Sequence, residues 1–216
     1  MAPLFDTSTL LAFGLTAAAL VAAPGPGQAL VLTRTLQGGT RSGLVTAFGL
    51  EIGTAVHTLA AALGLSAILA TSATAFAVVK YLGAAYLVFL GVRTLRSRAA
   101  AAEPGADADA ASRTPTGHLL AHATMTGILN PKVALFFLAF LPQFVNPARG
   151  HAFLQFILLG AAFAALGCLG DGLLAVVAGR ARGRLMAGSR WTAWRERITG
   201  TVLIGLGVRV ALQSRH

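Results

Sequence analysis

The stretch AAPGPGQALVLTR, residues 22–34, sets Pro24, Gly25, Pro26 and Gly27 in the middle of an otherwise continuous run of small and aliphatic residues. No Lys, Arg, Asp or Glu lies between Asp6 and Arg34. A hydrocarbon core of about 30 Å needs roughly 20 apolar residues per helix, so this run is long enough to span a bilayer. Proline removes a backbone donor and clashes with the preceding turn, and glycine costs about 1 kcal/mol relative to alanine in a helix. PGPG therefore predicts a spanning helix that unwinds at its middle. Backbone freed in this way is tolerated at membrane depth only where protein or a water-filled cavity satisfies it.

Working outward, the whole chain fits that setting. It is 56% hydrophobic and 11% charged, with a mean hydropathy of +0.73, far from the water-soluble norm. Further apolar runs fall at 44–70, 75–95, 118–145, 152–178 and 198–212, separated by turn or charged segments. The fold class expected is an all-α polytopic membrane bundle of six transmembrane helices. Residues 1–9 hold Asp6 and no basic residue, so the first run reads as a retained span rather than a cleaved signal peptide. The single cysteine, Cys168, allows neither an intramolecular disulfide nor a four-thiolate metal site, and it reads as a small packing residue.

A net charge of +10 would point to nucleic acid in a soluble protein. Here its distribution makes it a topology signal instead. With alternating helices, the loops after spans one, three and five share a side and carry twelve arginines: 34, 41, 93, 96, 98, 113, 180, 182, 184, 190, 195 and 197. The other side carries Arg149, Arg209 and Arg215, while Lys80 and Lys132 fall within spans. Positive residues in short loops stay cytoplasmic, so both termini are expected to face outward. Arg209 and Lys80 would snorkel to the interface, and Trp191 and Trp194 beside basic residues read as a boundary belt.

Residues 99–115 form a linker with three of the chain's seven acids and no apolar period. They divide the chain into a first three-helix repeat, 1–98, and a second, 116–216. GVR closes the third span at 91–93 and the sixth at 207–209, and Gly53–Thr54 echoes Gly170–Asp171. Each half also has a proline-broken span, the second at Asn130–Pro131. Three spans per half make the repeats inverted, with the first and fourth helices broken, and corresponding interruptions of this kind point to a transport site.

Ionisable residues at depth give a second line of argument. Glu51, Lys132 and Asp171 each sit in apolar surroundings at a cost of about 2.5–3.5 kcal/mol on insertion scales for such charges, so they should face the bundle interior and pair. Glu51, Thr54 and Thr58 share one helix face, with His57 at its edge. Each acid could instead be a hydrogen-bonded packing group, and His57 alone reads more readily as packing than as a proton relay. Glycines 49, 53, 160, 167, 170 and 172 read as close helix contacts. Phe136, Phe137, Phe140 and Phe144 read as helix packing or interface anchors.

Three stretches carry a resemblance: APGPGQALVLTRTLQGGTRSGLVTAFGLEIGTAVHTLAAALGLSAIL at 23–69, VVKYLGAAYLVFLGVRTLR at 78–96 and GILNPKVALFFLAFLPQFV at 127–145. In this order the chain resembles the LysE/RhtB family of amino-acid exporters. The resemblance implies a six-helix inner-membrane protein that exports amino acids such as basic amino acids, homoserine, threonine or leucine, coupled to the proton motive force and without a cofactor. It carries the family's Pro-Gly-Pro signature onto Pro24, Gly25 and Pro26, and its Asn-Pro-Lys signature onto Asn130, Pro131 and Lys132. The chain departs from the pattern at Gly27, where the family often has Asn, and at Thr54, where it frequently has Asp. Its acid stands at Glu51, about one turn away.

The expected substrate and ion site thus comprises Pro24, Gly25, Pro26, Gly27, Gln28, Glu51, Thr54, His57, Asn130, Pro131, Lys132 and Asp171. Helix-end amides near Gly25–Gln28 and the Lys132 ammonium would hold a substrate carboxylate, and Glu51 or Asp171 would take its ammonium or a coupling proton. No enzyme chemistry and no nucleic-acid partner is expected; the partners are a small amino acid, protons and the bilayer, and a homo-oligomer is compatible with the sequence. A divalent-cation exporter of similar architecture is the alternative, with Glu51, His57 and Asp171 as its only available ligands. A thiol–disulfide carrier would need a second cysteine, and a purely structural protein would not need buried charges beside two broken helices.

Overall fold

The computed structural model describes residues 3–65 and 115–181, together with isolated positions between 74 and 92. The described part is all helical. Helix α1 is Thr7–Ala22, α2 is Pro26–Ala60 extended by a π-helical turn at Ala61–Leu65, α3 is Thr116–Ile128, α4 is Pro131–Leu135, and α5 is Ala152–Arg180. The chain after α4 stays helical through a π turn at Phe136–Phe140 and a 3-10 turn at Leu141–Phe144. The third expected span, 75–95, is described only at single positions, each of them helical. The linker 99–114, the sixth span 198–212, Lys80, Trp191, Trp194, Arg209 and most of the topology-setting arginines lie outside the described residues.

Helix α2 is where the sequence boundaries are tested most sharply. Forty residues of straight helix, Pro26–Leu65, would run about 60 Å, twice the thickness of the hydrocarbon core. The chain does not run straight. Gly39 has φ 80° and ψ 177°, a backbone open to glycine and strained for other residues. Around it the two legs fold back on each other: a Cβ at Gly43 would collide with the Thr35 hydroxyl, and one at Gly27 would lie 3.2 Å from the Leu50 side chain. The legs, 26–38 and 40–65, therefore form a helical hairpin. Its turn falls between the first two expected spans, flanked by Arg34 and Arg41.

Both proline breaks appear in the backbone. Ala23, with ψ 118°, and an extended Gly25 separate α1 from α2, and Pro26 opens α2, where its missing N–H costs nothing. In the second half, Thr116–Ile128 and Pro131–Phe144 meet at a bend of 42°. Pro131 opens α4, and the Asn130 side chain caps it by accepting from the Lys132 amide at 3.1 Å.

The second leg of α2 packs against α3 and α5. Small residues allow the approach. A Cβ at Gly53 would lie 2.7 Å from the Gly127 backbone, and one at Gly49 would lie 2.7 Å from the Ala123 side chain. Against α5, Gly160 accommodates Thr58 and Gly167 accommodates Glu51, while Gly172 makes only ordinary contact with Leu44. The phenylalanines expected to pack do so. Phe136 stacks on Phe163 at 4.3 Å, Phe13 meets Phe144 edge-on at 5.4 Å, and all of them lie in one apolar core with Phe137 and Phe140. Leu11, Leu15, Leu129, Leu169 and Leu173 point outward, as lipid-facing residues do in a bundle with no aqueous surround. Cys168 corrects one expectation: it is exposed on the outer face of α5 rather than packed inside, because the inward positions of that stretch are taken by Gly167 and Asp171.

Asp6, just before α1, meets Arg149, in the loop before α5. Arg149 Nη2 donates to both Asp6 carboxylate oxygens at 2.6 and 2.7 Å, and Nη1 to the Pro3 carbonyl at 2.9 Å. The start of α1 and the loop before α5 thus share one end of the bundle.

Candidate functional site

The two breaks come together. A helix interrupted by proline loses the donor for the carbonyl four residues earlier. Pro24 therefore cannot serve Leu20, nor Pro26 serve Ala22. Lys132, from the other half of the chain, supplies an alternative: its Nζ donates to the Leu20 carbonyl at 3.1 Å and to the Ala23 carbonyl at 2.7 Å. Gln28 Nε2 donates back to the Val21 carbonyl at 2.6 Å. At the second break the Lys132 amide is committed to Asn130, so the Ile128 carbonyl loses its usual donor. His57 Nε2 reaches it at 3.0 Å, while the imidazole stacks on Phe137. The Leu20, Val21, Ala23 and Ile128 carbonyls at the two breaks are thus met by polar side chains, as a low-dielectric setting favours.

Beside this crossing lies a cavity of about 40 Å³ lined by Gln28, Glu51, Thr54, Asn130, Lys132 and Asp171, with Gly27, Gly127, Gly167, Leu50 and Phe163 among its walls. Lys132 and Asp171 are 7% and 8% exposed, which makes them buried charges. Glu51 hydrogen-bonds the Thr54 side chain and lies within electrostatic reach of Asp171 and Lys132. Its Oε2 is buried and accepts no hydrogen bond among the described residues. An unserved buried acceptor costs about 1–3 kcal/mol, more when charged, so this oxygen marks a place built to meet a donor. With both carboxylates ionised, Glu51 and Asp171 at −2 and Lys132 at +1 leave the cluster at −1.

Of the twelve residues expected from sequence, Gly27, Gln28, Glu51, Thr54, Asn130, Lys132 and Asp171 line the one cavity. Pro24, Gly25, Pro26 and Pro131 shape the breaks without lining it, and His57 stands behind it on the Ile128 carbonyl. Lys132 differs in orientation from the expectation: its ammonium lies on backbone carbonyls, because two prolines remove two of the amides that would continue the helix ladder there. The sequence reading missed the α1 carbonyls of Leu20, Val21 and Ala23 as polar participants, and it missed Gly127. A glycine three residues before Asn130 was the available signal. Gly167, read as packing alone, also makes room for the Glu51 carboxylate. Among the described residues no group of three or more His, Cys, Asp or Glu is placed to hold a metal ion.

Helices apolar and long enough to cross a bilayer, interrupted where they cross around buried charges, define a membrane translocator. The chain belongs to the LysE type translocator family, whose model matches residues 18–214. It is 32% identical to the uncharacterised membrane protein YrhP of Bacillus subtilis over 94% of this chain and 99% of that one. It is 32% identical to a homoserine/homoserine lactone efflux protein of Salmonella typhimurium over 69% and 70%, and 31% identical to a leucine efflux protein of Salmonella choleraesuis over 65% of each. No solved structure matches.

Proposed function

We propose that the protein exports an amino acid or a close derivative across the bacterial inner membrane by proton-driven alternating access, with the site at the crossing of its two broken helices. The observation that carries this reading is that Glu51, Asp171 and Lys132 line one cavity beside unwound backbone, two acids to one base. A substrate ammonium entering the cavity restores neutrality, and so does a proton. Two cations that compete for one deficit give exchange: a proton bound from outside displaces the substrate's hold, and the substrate leaves as the proton travels inward.

The other end of a zwitterion finds complementary chemistry close by. The first amides of α2 have no partner within their own helix, and the positive end of the helix dipole lies at Gly27 and Gln28, which line the cavity. A substrate carboxylate seated there would place its ammonium toward Glu51 and Asp171, while Lys132, Asn130 and Thr54 fix the walls. A cavity of about 40 Å³ holds roughly one to three waters rather than an amino acid, so loading needs the helices around it to part. Glycine contacts such as Gly53 on Gly127 are suited to such movement, since backbones in contact can slide without interlocked side chains. The inverted three-plus-three arrangement, with both termini outside, supplies the two related states. Efflux of homoserine and of leucine by the relatives named above supports an amino-acid cargo.

The test is export from proteoliposomes loaded with single amino acids under an imposed pH gradient, beginning with homoserine, leucine, threonine and lysine. Asp171→Asn and Glu51→Gln are expected to lower gradient-driven efflux at least about tenfold, the scale of 1.4 kcal/mol or more at the site. Insertion and yield should be unchanged. Efflux at the unaltered rate in both variants would refute the roles given to these carboxylates.

A further inference from the structure

We propose that the carbonyl end of α1, with Glu51 and Asp171 beside it, is a monovalent-cation site whose occupant is the chain's own Lys132 ammonium. The inference does not depend on what the protein transports. Three features converge on it. Pro24 denies the Leu20 carbonyl its usual donor four residues on and leaves it the Ala23 amide at 3.2 Å, so this helix end carries both the negative pole of the dipole and a carbonyl with a lone pair to spare. The Nζ of Lys132 lies 2.7 Å from Ala23 O and 3.1 Å from Leu20 O, from a residue 109 positions away in the sequence. Two carboxylates line the same cavity as that ammonium.

Carbonyl oxygens of an unwound helix with carboxylates nearby are what an alkali cation takes up in broken-helix transporters. An ammonium is the organic equivalent, a compact point charge with three donors. Gly25 is shaped to admit it: a Cβ there would lie 3.4 Å from Lys132 Nζ and Cε, so a larger side chain would crowd the ammonium. Asn130 fixes the base of the lysine by accepting from its amide. The second half of the chain thus inserts a tethered cation into a slot of the first, and the two halves are held together without a free metal ion.

The experiment is thermal unfolding of the purified full chain in detergent, in sodium, ammonium and choline chloride at equal ionic strength. Wild type is expected to unfold at one temperature in all three. Lys132→Ala opens the slot and should unfold at a lower temperature in choline. Sodium or ammonium should raise its midpoint by roughly 3–5 °C, the shift that an ion at about ten times its Kd gives a chain of this size. Should the alanine variant accumulate in none of these salts, Lys132→Gln, which leaves room for an ion and offers it an oxygen, takes its place with the same expected response. Equal midpoints of the folded variant in all three salts would overturn the proposal, as would a wild type that responds to sodium as strongly as the variant. Because nothing is transported in this assay, its failure leaves the export reading standing, and a failed export assay leaves the cation slot standing.

Discussion

The two proline breaks are built from the same ingredients and are held in different ways. At 129–131 there is one proline, and part of the repair is local: Asn130 caps the helix that follows and its amide serves the Gly127 carbonyl, while His57 from α2 takes the Ile128 carbonyl. At 23–26 there are two prolines and no Asn. Its carbonyls are served by Gln28 from the next turn and by Lys132 from across the molecule. The first break therefore depends on the second, while the second does not depend on the first to the same degree. A site at the crossing inherits that asymmetry.

Replacing Lys132 is the strongest way to press on the difference. Lys132→Ala removes the two hydrogen bonds that tie the carbonyl end of α1 to α4 and takes a buried positive charge away from the two carboxylates. The expected loss is about 3–5 kcal/mol of stability with near-complete loss of export, read by unfolding in detergent and by efflux from proteoliposomes. Gln28→Leu affects the first break alone. It leaves the Val21 carbonyl unserved and should cost about 1–3 kcal/mol in the same unfolding assay. Asn130→Ala removes the cap at the second break and should cost about 0.5–2 kcal/mol. If Asn130→Ala proved more damaging than Lys132→Ala, the stated dependence would be reversed.

Arg149→Ala is the remote control. The Asp6–Arg149 pair is bidentate yet partly exposed at the end of the bundle, where such pairs contribute about 0–1 kcal/mol, so unfolding should shift by no more than about 4 °C. Efflux should be unchanged.

How far these features were legible in the sequence follows from the physics that governs each. Pro24, Pro26 and Pro131 announce their breaks because a missing N–H is a local fact, independent of the fold. The hairpin turn at Gly39 falls between spans counted from hydropathy alone, since a 40-residue helix cannot fit the bilayer. Glu51, Lys132 and Asp171 were legible as a set because charge at membrane depth is costly wherever it occurs. What Lys132 touches was not legible. Its ammonium could serve an anion or a row of carbonyls, and the choice depends on the relative placement of α1 and α4, which no local pattern encodes. The exposed Cys168 shows the same limit: in a helix apolar all round, one residue's side of the bundle is set by its neighbours' packing rather than by its own polarity.

The central claim is that the two breaks touch at the path the substrate takes. Cysteine cross-linking tests it most directly: Gly27→Cys paired with Asn130→Cys, in a Cys168→Ser background, oxidised in native membranes while amino-acid efflux is followed. A Cβ at Gly27 would lie 3.5 Å from Asn130 Nδ2, which makes the two positions neighbours, and the account predicts a disulfide that stops efflux and is reversed by reductant. Absence of a cross-link, or a cross-link that leaves efflux running, would contradict it.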